Sequence, residues 1–142
     1  MTDISVHVQQ LRPENLSWDL TPDEHQAYVE GGTLDVAAFT QADHYPNGFI
    51  PSGIVLALNP AGHLAPYLNS AVDSTNVAVG ILRASIQVIR PDGSTKGLIG
   101  AAVMKAFGVV SESKLPIANT VTTGGYIDAT GKTDLAHIHF AA

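Results

Sequence analysis

A chain of 142 residues supplies enough apolar material for one domain core and an appendage. It is 45% hydrophobic but only 14% charged, with 13 Gly and 8 Pro, which favours strands, turns and covered surfaces over long solvated helices; the absence of cysteine excludes disulfides, thiolate metal sites and a Cys nucleophile. Charge is uneven: residues 1–45 hold eight acids against Arg12 alone, net −7, while residues 46–142 are net +1, a balance that repels nucleic-acid phosphates and suits a basic protein surface.

That asymmetry divides the chain into an N-terminal acidic arm, residues 1–45, and a β-rich body, residues 46–142. Met1 to His7 lacks a basic stretch followed by an apolar run, and no eighteen consecutive residues are apolar, so neither a secretory signal nor a membrane span is expected and the protein is expected in the cytosol. Within the arm, Thr21-Pro22-Asp23-Glu24 offers a capping hydroxyl, a proline and first-turn acids, which predicts a short helix through about Val29, ended by Gly31-Gly32. The arm also carries Trp18, Tyr28, Phe39 and Tyr45, aromatic rings that need a surface. A partner's groove and the chain's own body are equally good homes for them.

The body opens on a repeated format: Ile50-Pro51-Ser52-Gly53, Asn59-Pro60-Ala61-Gly62 and Arg90-Pro91-Asp92-Gly93 each place proline second and glycine fourth, as a type I turn prefers. Pro51, Gly53, Pro60, Gly62, Pro91 and Gly93 are therefore structural turn residues. Ile54 to Leu58 and His63 to Leu68 then form a hairpin, and Val77 to Ile89 runs as strand into the third turn. Residues 98–110 have helical spacing at Leu98, Ile99, Ala102, Val103, Ala106, Phe107 and Val110, yet Gly97, Gly100 and Gly108 suit a strand buried on both faces, and periodicity leaves both open. Tyr126 to Asp128 and Leu135 to Phe140 read as short closing strands. The expected fold is a small β-rich body, with few helices and irregular connections, behind an extended N-terminal arm.

Chemistry-bearing patterns are sparse. In a strand His137 and His139 would share a face, roughly 7 Å apart, and could chelate a metal with help from His44, His63, Asp128 or Asp134; surface or interface histidines are the plainer reading. Ser52 lies in a proline turn and not a nucleophile elbow, and Gly97-Leu98-Ile99-Gly100 lacks the spacing of a phosphate or dinucleotide loop. No catalytic, cofactor-binding or metal residue is assigned, and no enzymatic activity is expected.

One stretch resembles a known family. Tyr45-Pro46-Asn47-Gly48-Phe49-Ile50-Pro51-Ser52-Gly53-Ile54-Val55-Leu56, then Gly62-His63-Leu64-Ala65-Pro66-Tyr67, then Ala78-Val79-Gly80-Ile81-Leu82 resemble, in order, landmarks of the head decoration proteins of tailed phages, the type named for the lambda head protein D. The likeness covers residues 45–118, and Thr33 to Thr40 looks like leaders of longer members. It implies a β-rich body forming homotrimers at three-fold sites on the outside of the expanded virion head, with the major capsid protein as partner and Trp18, Tyr28, Phe39 and Tyr45 as capsid contacts on the arm. It also favours strand for residues 98–110. No cofactor, nucleic acid or membrane enters this reading. The alternative from another class is a trimeric β-rich carbohydrate-binding or fibre-type adhesion module.

Overall fold

The computed structural model describes residues 14–22 and 26–141. Five strands close into a barrel: β1 (Tyr28–Asp35), β3 (Val55–Leu58), β4 (Leu64–Pro66), β5 (Ala78–Leu82) and β7 (Leu98–Ala106), in the order β1-β4-β3-β5-β7 with β7 returning to β1. Two small sheets flank it, one pairing β2 (Phe49–Ile50) with β6 (Ile86–Gln87), the other pairing β8 (Val109–Ser111) in parallel with β9 (His139–Ala141). The only α-helices among the described residues are α1 (Gln41–His44) and α2 (Ala129–Asp134). The protein is β-rich.

The barrel explains why residues 98–110 showed no decisive period. Val103 and Met104 are adjacent and both fully buried, because one face of β7 lines the barrel and the other is covered from outside. The inner cluster takes Leu34, Leu56, Leu64, Leu82 and Val103; the outer takes Val55, Ala57, Ile81 and Met104, roofed by Trp18, Val110, Leu135 and Ile138. A strand apolar on both faces loses the alternation that would distinguish it. Residues 98–106 are strand, paired with β1 throughout except at Lys105, where the register shifts.

Two glycines are forced by close approach. A Cβ on Gly80 would lie 2.3 Å from Val103 Cγ1 and 2.8 Å from the Met104 carbonyl oxygen, so β5 can lie against β7 only with hydrogen there. Gly53, at φ +95°, would drive a Cβ to 2.8 Å from Pro116 and 3.2 Å from the Trp18 indole. Gly62 and Gly93 N–H donate back to Asn59 and Arg90 oxygens at 2.9 Å, closing the turns that contain Pro60 and Pro91. The turn at Pro51 differs: Gly53 N–H donates instead to Leu82 O (2.8 Å), so Ile50 to Gly53 is tied to β5 rather than closed on itself.

Several sequence expectations are corrected. The fold does not divide at residue 45, since β1 is a barrel strand and residues 36–45 pack beneath it: Val36, Phe39 and Tyr45 belong to the inner cluster. The helix expected through Val29 gives way to β1, in which Gly31-Gly32 is mid-strand; residues 23–25 of that expectation lie outside the described residues. Pairing with β7 along all eight residues outweighs a capping signal worth about 1 kcal/mol. Tyr126 to Asp128 is not strand, and α2 follows because the Asp128 carboxylate accepts the Gly131 N–H at 2.7 Å, an N-cap visible in the sequence but read as strand.

Candidate functional site

The aromatic residues assigned to the arm part company. Trp18, Phe39 and Tyr45 are buried in the chain's own core, and only Tyr28 is exposed. Three of the four expected capsid contacts are therefore corrected to core residues, because the body supplies the apolar surface that they need.

Trp18 is held by a polar hub on the turn before β3. Its indole N–H donates to Ser52 Oγ (3.1 Å), while the Ser52 hydroxyl donates to the Asn15 carbonyl (3.2 Å) and the Ser52 N–H to Ser85 Oγ (3.0 Å). Ser85 in turn donates from both N–H and hydroxyl to Glu14 Oε1, each at 2.7 Å. Burial alone would raise the Glu14 pKa, but the Ser85 hydrogen bonds, with help from Ser52 and the Arg83 charge, hold it below its ordinary value. Further along, Asp19 bridges to Val110 and forms an ion pair with Arg83 (3.3 Å), and Leu20 N–H donates to Val109 O (2.8 Å). Residues 14–21 thus form a strap docked on the body. Arg83 and Asp19 also line an open cleft of about 570 Å³ with Thr21, Gln26 and Tyr28.

Other buried polar groups are structural. His44 Nδ1 accepts the Thr40 N–H (2.9 Å), which leaves Nε2 to donate to Gly124 O (3.0 Å), and the ring stands edge-on to Phe39. The Tyr67 hydroxyl donates to Asp128 Oδ1 (2.9 Å); burial first, then that bond and the nearby carboxylate charges, push its pKa up. Among the described residues no buried side-chain polar atom lacks a partner. His137 and His139 are both exposed, and among the described residues no group of three or more His, Asp or Glu is gathered to hold a metal ion.

Most of the exposed large hydrophobic residues among the described residues lie toward one end of the barrel. The strand registers put the starts of β1, β4 and β5 and the ends of β3 and β7 at the same end of the barrel. That end carries Tyr28, Val29, Leu58, Val77 and Phe107, with Leu20 beside Val109 and Val72 in the loop before Val77; of the exposed large hydrophobics among the described residues, only Leu98 lies at the other end. Phe107 is 70% exposed and adopts φ +61°, a conformation disfavoured for an L-residue with a bulky side chain. Its N–H donates to His137 O (2.8 Å), which ties this conformation to the segment before β9. The apolar pattern of residues 98–110 places Phe107 with a buried segment, and its exposure corrects that reading; Phe-Gly at the end of the apolar run was the available signal.

No protein-family model matches the chain, and no curated protein matches it. The functional reading rests on the residues themselves.

Proposed function

We propose that the protein is a structural decoration protein that binds the exterior of an expanded phage head through the apolar end of its barrel, as homotrimers against the major capsid protein. The observation that carries the reading is the gathering of exposed apolar side chains at that end, around an aromatic residue held in a disfavoured backbone conformation. Contiguous exposed apolar surface marks protein interfaces, and exposed aromatics are their usual anchors. The ordered decoration-type landmarks at Tyr45 to Leu56, Gly62 to Tyr67 and Ala78 to Leu82 support it, and each includes a strand of the body. Glu30 is neutralised by Lys105 at 3.1 Å, so charge does not oppose an apolar contact there.

Co-sedimentation with purified capsid shells before and after expansion tests this. Full-length protein should pellet with expanded shells only, and Phe107→Asn, which suits a positive φ, should lose binding about ten-fold or more, the loss expected of a central aromatic anchor. Equal binding by the variant would remove the barrel end from the interface. No binding to either shell would remove decoration.

A further inference from the structure

Two histidines border the apolar end of the barrel. β8 lies between the strap and β9: Asp19 bridges to Val110 on one side, and Val109 and Val110 pair with His139 and Phe140 on the other. Alternation then sets Leu20, Val109 and His139 in one row across the three segments, on the face opposite the buried Val110. His137 joins this row through the main chain, since its carbonyl accepts the Phe107 N–H at 2.8 Å, and the His139 N–H donates to Gly108 O at 2.9 Å. Both side chains are exposed, and among the described residues neither imidazole has a hydrogen bond or an ion pair.

The acids on the surrounding elements are engaged elsewhere. In the strap, Asp19 pairs with Arg83 at 3.3 Å; on β1, Glu30 pairs with Lys105 at 3.1 Å and accepts the Tyr28 hydroxyl. Past the far end of β8, where Lys114 also lies, Glu112 pairs with Lys132 at 2.6 Å, and ahead of His137 the Asp134 carboxylate accepts the Ala78 N–H at 3.1 Å. β8 itself contributes only Val109, Val110 and Ser111. Residues 23–25 and Ala142 lie outside the described residues. A neutral imidazole can be covered here at modest cost, whereas an imidazolium covered without a partner charge is strongly disfavoured.

We propose that His137 and His139 are buried uncharged, beside Leu20, Val109 and Phe107, when the barrel end docks, so that acid releases the protein from its partner. The inference deepens the decoration reading and rests on it for the identity of that partner. Histidine is the side chain whose ordinary titration, near about pH 6.5, lets a modest change of pH act in this way. Only the neutral form binds, so affinity is full above that value and is lost as pH falls through it. About one pH unit below it, each imidazole that must lose its proton weakens binding about ten-fold, and two together about a hundred-fold.

Co-sedimentation with expanded shells at about pH 7.5 and about pH 5.5 tests this, because the two values bracket the imidazole titration. The readout is the ratio of affinities at the two pH values, whatever the affinity at the higher one. Full-length protein should lose about a hundred-fold, His137→Gln and His139→Gln singly about ten-fold each, and the double variant less than about three-fold, since glutamine stays uncharged throughout. A loss below about three-fold for the unaltered protein overturns the inference. So does an equal loss by the double variant, which would assign the response to other groups, among them Asp23, Glu24 and His25. Tighter binding in acid overturns it as well, by placing a carboxylate of the partner against the imidazoles. Shell binding that ignores pH thus sinks only the histidine gate, whereas no binding by any of these proteins at either pH sinks decoration and the gate with it.

Discussion

The strap at residues 14–21 and the first half of β1 both come from the acidic, aromatic-bearing N-terminal third, yet they end in opposite environments. Trp18 is 1% exposed and Tyr28 is 52% exposed. Composition does not separate them; the partners of the surrounding polar groups do. Around Trp18 the indole N–H donates to Ser52, the Asn15 and Trp18 carbonyls accept from Ser52 and Ser111, and the Leu20 N–H donates to Val109 O, so burial leaves these groups paired. Around Tyr28 the body provides a partner on one edge only, and the ring stays in solvent with Val29 and Phe107.

If that contrast is right, substitutions in the strap should cost stability while substitutions at the barrel end should cost binding. The largest effect is expected from Trp18→Ala, which empties a fully buried site and should lower unfolding free energy by about 3 to 5 kcal/mol in chemical denaturation. A loss below 1 kcal/mol would mean that the strap is not part of the folded body. His44→Ala should follow at about 2 to 4 kcal/mol, since it orphans the Thr40 N–H and the Gly124 carbonyl together. Ser52→Ala removes the Trp18 acceptor and should cost about 1 to 3 kcal/mol; combined with Trp18→Ala its effect should be clearly less than additive, and full additivity would deny the hub.

Smaller and of opposite sign, Phe107→Gly should leave stability unchanged or raise it by up to about 1 kcal/mol, by relieving the positive φ of an exposed residue. The same variant should weaken shell binding, and a matching loss of stability would place Phe107 with the core residues.

Two pH effects follow from the same division. Glu14 is held below its ordinary value of 4.5, so its contribution is present above that pH and lost as pH falls through the lower folded-state value. Acid should therefore loosen the strap, seen as increased exchange at Ser85 N–H before the barrel opens. Tyr67 is shifted upward, so its contribution is present below pH 10 and declines as pH rises beyond it. Phenolate absorbance should show a component assigned to Tyr67 that ionises above pH 10 and is absent from Tyr67→Phe, which should also remove its share of the alkaline slope.

The β-rich body was legible because its signals are local. Turn residues at Pro60-Gly62 and Pro91-Gly93 mark chain reversals, and the hairpin of β3 and β4 lies within a dozen residues. What the sequence hid depends on distant partners. β1 reads as helix start and glycine break until β7, seventy residues later, supplies its ladder. Trp18 and Phe39 have the composition of a partner-seeking arm, and only Ser52, Ser85 and the closed barrel show that their surface is their own. Phe107 reads as one more buried apolar residue of residues 98–110, and only its tie to the distant His137 carbonyl shows where the strand stops and the ring turns outward.

The closure of β1 onto β7 also sets a schedule for synthesis. The first barrel strand leaves the ribosome long before its only full-length partner, so the barrel cannot close until residue 106 has been made. Contacts so far apart in sequence slow folding, and until they form the nascent chain carries β1 with both edges open. Until β7 is available, β1 is a strand that other chains can template on, so the cost of this topology falls on the folding chain and not on the closed barrel.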